Sequence, residues 1–102
     1  MKQTSKQPAS AAILTEASDI VYGRGEMHYG HPRNNFTDEA MAWSAYLHAR
    51  GLLPRDKFLN ARDVAQINVL QKVIRDGNAP KHDNLVDQIG YSLTAHRISS
   101  EK

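Results

Sequence analysis

The chain has 102 residues, 13 basic against 11 acidic side chains for a net charge of +2, and no cysteine. That length implies one domain with a modest core, for which pairing with further copies is an ordinary way to bury more surface. The balanced charge gives no strong signal for nucleic acid or an anionic membrane, and the missing cysteines exclude disulfides, thiolate catalysis and cysteine-ligated zinc.

Residues 1–10 are rich in Lys, Gln, Ser and Thr and read as a flexible tail. No apolar block in them suggests a signal peptide, and no run further along approaches a membrane span. The expectation is a soluble protein of the cytoplasm. A first helix follows, with Ser10 as N-cap and Ile13, Ala17, Ile20 and Val21 on one face, ending near Tyr22 before Gly23 and Gly25. A second is expected from Asn35 or Thr37, with Asp38 and Glu39 in its first turn and Ala40, Trp43, Tyr46 and Leu47 as its apolar stripe. Gly51 stands in the C′ place, and residues 52–59 read as a connector.

A third helix is expected from Asn60 as N-cap to about Asp76, where Gly77, Asn78 and Pro80 break it. Val64, Ile67, Leu70 and Ile74 form its core stripe, and Asp63 projects into that stripe. A fourth runs from His82 or Asp83 to about Ser99, with Leu85, Ile89, Leu93 and His96 facing the core and Val86 at the edge. No segment alternates like a strand. The fold class is all-α, a compact bundle of about four helices, with residues 11–102 as a single helical domain.

Two dense polar stretches stand out. Tyr29-Gly30-His31-Pro32-Arg33-Asn34-Asn35-Phe36 packs an aromatic ring, a histidine, a guanidinium and two amides into what reads as a turn. Asp83 and Asp87 lie one helical turn apart, on a face shared with Gly90 and Thr94, with their Cβ atoms about 5–6 Å apart. Like charges at that spacing repel, and a divalent cation reverses the sign of that cost. The turn is expected to be ordered and to pack on the fourth helix near Asp83 and Asp87. With Asp63 from the third helix, these two acids are the candidate metal ligands, and Mg²⁺ is the ion they would hold. Each has a plainer reading. Asp63 and Asp83 could cap helix starts, Gly90 could mark a helix crossing, and Asp87 could pair with Lys72 or Arg75.

The candidate ligand-binding residues are Arg24, Tyr29, His31, Arg33, Asn35, Lys72 and Arg75. The cations would neutralise phosphate, Tyr29 or Trp43 would stack a base, and His31 would bond a helix end or a phosphate. Solvated charge is the plainer reading of Lys72 and Arg75. His48 reads as a surface residue, His82 as a cap, and His96 as a satisfied core histidine. His28 and His31 lack the further ligands that zinc needs. No GxxxxGK, GxSxG or HExxH motif is present.

Arg24-Gly25, Tyr29-Gly30-His31-Pro32, Asn35-Phe36, Trp43-Ser44-Ala45-Tyr46-Leu47, Asp63-Val64-Ala65, Lys72, Arg75, and Leu85-Val86-Asp87 with Gly90-Tyr91 resemble a family of small all-helical phage and prophage proteins, over residues 12–98. By arrangement, and far more distantly, the chain is similar to the MazG-type all-α nucleotide pyrophosphohydrolases. That second likeness implies Mg²⁺ held by carboxylates of neighbouring helices. The ExxE and ExxD signature of that group is absent from the third and fourth helices; Glu16-x-x-Asp19 is a lone match. The resemblances leave three functions open: a Mg²⁺-dependent nucleotide hydrolase, a non-catalytic binder that sequesters a nucleotide, and a phage protein that binds a host protein. All three place the chain in the cytoplasm of an infected cell, as a homo-oligomer.

Overall fold

Four helices account for the fold of the described residues. The computed structural model describes residues 6–24 and 31–101. Helix α1 spans Lys6–Asp19 and continues as a π-turn over Ile20–Arg24. Helix α2 is Pro32–Ala49, α3 is Ala61–Asn78 and α4 is His82–Ser100. No strand occurs among the described residues. The arrangement is the all-α, compact, four-helix one expected. Its most extensive contact is the α3–α4 hairpin; α2 packs on α3, and α1 packs on α4. The molecule measures 58 × 33 × 21 Å, so its thinnest dimension is about two helix diameters.

Several boundaries follow the local chemistry expected of them. Asn60 Oδ1 accepts from the backbone N–H of Asp63 at 2.9 Å, and Asp63 Oδ2 accepts from the N–H of Asn60 at 2.9 Å. This reciprocal capping box satisfies two donors that the first turn of α3 would otherwise leave open. Gly51 adopts φ +70°, the left-handed geometry that closes α2 at C′.

Other boundaries differ. Helix α1 begins at Lys6, four residues before Ser10; Pro8 is tolerated because first-turn N–H groups have no helical partner. Helix α2 begins at Pro32, not at Asn35 or Thr37, and has no acid in its first turn. Pro32 has the fixed φ that suits N1. His31 is the N-cap, its Nδ1 accepting from the N–H of Arg33 at 3.0 Å. Residues 31–36, read as part of a turn, are therefore the N-cap and opening of a helix. Helix α3 runs through Gly77 to Asn78.

The burial pattern is the larger correction. On α1 the expected face holds, with Ala17 and Val21 buried. On α3 only Val64 of the expected stripe is buried, while Ile67, Leu70 (61% exposed) and Ile74 (65%) face outward. On α4 the buried residues are Asn84, Val86, Gly90, Thr94, Ala95 and Arg97, and Leu85 and His96 are exposed. On α2, Ala40 and Ser44 are buried and Tyr46 is exposed. Small side chains let the helices approach closely, so they won the interior, and the bulky apolar ones were left at its margin. The largest fully buried side chains are Val64, Val86 and Ser44. The Ser44 hydroxyl accepts from the N–H of Leu59 at 2.8 Å and ties the connector to α2.

Candidate functional site

The three candidate metal ligands occupy three different environments. Asp63 is committed to the capping box of α3. Asp87 Oδ2 receives Lys72 Nζ at 3.0 Å, across the α3–α4 hairpin. Asp83 lies in the first turn of α4 beside Glu16 and His82; one ligand atom from each of these three falls within 4.8 Å of the others. Nine residues separate Asp63 from Lys72, the partner of Asp87, or about 13 Å along a helix. The three aspartates thus do not form one donor set for Mg²⁺, which wants near-octahedral oxygen ligands. Glu16, His82 and Asp83 supply a mixed N/O set, closer to transition-metal chemistry than to Mg²⁺. His82 Nε2 is already bonded to Glu16 at 2.8 Å, and that bond raises the His82 pKa above its usual value.

The charged residues that do converge meet around Tyr91. Its ring lies 6.3 Å from that of Phe36, centroid to centroid. Burial pushes the phenol above its usual pKa, Lys72 and Arg75 pull it down, and Asp87 and Glu39 push it up. Lys72 and Arg75 of α3, Asp87 and Tyr91 of α4 and Glu39 of α2 therefore share one neighbourhood. Asp87 and Tyr91 also line a cleft of about 130 Å³ with Ala17, Ile20, Val86 and Gly90. A cleft of that size takes a few waters or a small ion; pockets for nucleotide-sized ligands start at about 300 Å³.

The other candidates hold the helix ends together. His31 Nε2 meets Glu101 Oε1 at 3.0 Å, and Arg33 Nη2 donates to the carbonyl of Ile98 at 2.7 Å. Residues 31–36 therefore dock on α4 as expected, but mainly at its C-terminal end. Asp83 is 15 residues from Ile98, about 22 Å along the axis. Asn35 lies in the opening turns of α2 with its side chain exposed. The side chain of Arg24 and all of Tyr29 lie outside the described residues.

Two groups escaped the sequence reading. Arg97, only 4% exposed, donates from Nη1 to the carbonyl of Val21 at 3.1 Å and from Nε to both oxygens of Glu101 at 3.1 and 3.0 Å. Its guanidinium also lies 4.8 Å from the ring centre of Tyr22. Arg97 and then His31 hold the Glu101 carboxyl down at about 2. The i,i+4 spacing of Arg97 and Glu101 was the available signal. The second group is His48, half-buried rather than on the surface, whose Nε2–H donates to the carbonyl of Lys57 at 2.8 Å.

Apolar surface remains in two further places. A groove between α2 and α3 of about 320 Å³ is lined by Trp43, Tyr46, Leu47, Leu59 and Ile67. Another of about 360 Å³, between α1 and α4, has Ile13, Leu14, Leu85 and Ile89 along its walls. No helix among the described residues is long and apolar enough to cross a membrane.

A family model described as "Domain of unknown function (DUF6378)" matches residues 12–99. The chain is also similar to the "Gene 55 protein" of Mycobacterium phage D29, at 36% identity over 93 residues. That match covers 90% of this chain and 56% of the phage protein, so the chain spans little more than half of that relative's length. No solved structure matches the chain.

Proposed function

The chain belongs to the DUF6378 family and is similar to a phage protein, and from that premise we propose that it is a non-catalytic protein that acts by binding a host protein. One observation carries the reading: bulky apolar side chains face outward while small ones fill the interior. Ile67, Leu70, Val73 and Ile74 of α3, Tyr46 of α2, and Leu14 and Leu85 flanking the α1–α4 groove are all exposed. Exposed apolar ridges and grooves of this kind mark contact sites. The acids point the same way, because Asp63 and Asp87 already serve as a cap and an ion-pair partner. The test is cross-linking in infected cells, followed by rebuilding of the complex from purified components. A 1:1 complex weakened by Leu85→Glu is the expected result. Mg²⁺-dependent turnover of nucleoside triphosphates by the purified chain would overturn the reading.

A nucleotide-linked role is the second reading. The cations Lys72 and Arg75 beside Tyr91 favour it, as does the distant MazG-type likeness. An incoming phosphate would have to displace Asp87 from Lys72. Titration calorimetry with ATP and Mg²⁺ tests it, and heat of binding lost in Lys72→Ala would support it.

A further inference from the structure

We infer that the open ridge of α3 is the contact surface between two copies of this chain. The inference rests on the interaction-protein reading and assigns one of its apolar surfaces.

Ile67, Leu70 and Ile74 follow one another at spacings of three and four, the pattern of a helix–helix seam. Gly77 takes the next position in that pattern, and a Cβ built on it would meet nothing within 4 Å, so the seam ends in open space. The spacing is self-complementary. A two-fold axis near Leu70 sets the two leucines together and places Ile67 of one copy against Ile74 of the other, as an isologous dimer requires.

Charge allows the same pairing. Between Asp63 and Arg75 the only charged residue of α3 is Lys72, and it is neutralised by Asp87 on the α4 side. Two copies of this ridge can therefore meet without like-charge repulsion. A host partner selected by charge would find nothing to select here.

Shape supplies the third argument. The thinnest dimension is 21 Å, and stacking two such layers through α3 builds a thicker bundle with the bulky side chains inside. The α1–α4 groove then remains available for a different protein.

Multi-angle light scattering of the full chain at micromolar concentration should return twice 11.4 kDa. Leu70→Asp should return a single chain with an unchanged helical circular dichroism spectrum, and Leu52→Asp, an exposed apolar residue off the ridge, should remain dimeric. Because the protein has no cysteine, Leu70→Cys provides a second test that preserves an apolar side chain. Mild oxidation should link it into a disulfide dimer, and Leu52→Cys should stay unlinked. A monomeric parent protein, or a dimer indifferent to both changes at Leu70, overturns the inference. Neither readout involves a host protein, so it can fail while the host-binding reading stands, and the reverse.

Discussion

The two ends of α4 use similar residues to different effect. At its C-terminal end Arg97 is buried and grips the Val21 carbonyl, the Tyr22 ring and the Glu101 carboxylate, while His31 and Arg33 reach in from α2. At its N-terminal end His82 and Glu16 pair across α1 and α4 at a similar distance, 2.8 Å, but in the open. The Glu101 and Glu16 carboxylates are about equally open to water; what differs is the cation, since the Arg97 guanidinium is covered and the His82 ring is not. The difference teaches that depth, not pairing geometry, decides which ionic contact holds the fold together.

The sharpest way to break the comparison is to remove a charge from each end. Arg97→Ala should cost about 3 kcal/mol, because it deletes packed volume, leaves the Val21 carbonyl without this donor and leaves the Glu101 carboxylate to His31 alone. A shift in the urea midpoint at constant slope checks it, and a shift no larger than that of His82→Ala would erase the distinction between the ends. Lys in place of Arg97 should rescue only part, since an ammonium cannot make the forked contact with Glu101.

An intermediate case lies between the two ends. Lys72 is largely covered and Asp87 about a third exposed, so Asp87→Ala should cost about 1–2 kcal/mol by leaving a covered ammonium unpaired. Melts with Mg²⁺ and with EDTA should show the same loss. If Mg²⁺ stabilises the parent protein and the mutation cancels that gain, Asp87 is a metal ligand instead.

The smallest effects separate the ends by pH. Glu101 has its pKa lowered from 4.5 to about 2, so its contribution is complete above 4.5 and drains away as pH falls toward 2. His82 has its pKa raised above 6.5, so its contribution is complete below 6.5 and is lost as pH rises through the raised value. Acid should loosen the C-terminal end and mild alkali the N-terminal end. Melting curves of Glu101→Gln below pH 5 and of His82→Ala across pH 6–8 should each converge on the parent in the window where that residue has lost its bond.

Much of this was legible in the sequence. The four helices, the Asn60–Asp63 cap and the Gly51 stop are written in local chemistry, and local chemistry is readable one segment at a time. The choice of buried face was not. A stripe such as Ile67, Leu70 and Ile74 states that a surface seeks cover, without stating whether this chain or another supplies it. Gly90, Thr94 and Ala95 took the interior of α4 because close approach rewards small residues, and that is a property of the helix pair. Arg97 was missed because arginine belongs on the surface by default. Pro32 was a usable signal for a helix start, and Asp38 and Glu39 drew the reading downstream of it.

The π-turn over Ile20–Arg24 bears on how the gene tolerates changes in length. Such a turn holds one residue more than an α-turn, as if a single codon had been added to an ordinary helix. Losing one codon there would close the turn to ordinary α-winding and re-aim the carbonyls within it. The Val21 carbonyl, which Arg97 reaches, sits inside that turn. An in-frame deletion in this segment would therefore unfasten α1 from α4, whereas the same deletion in the exposed stretch at Arg55 and Asp56 would only shorten a loop.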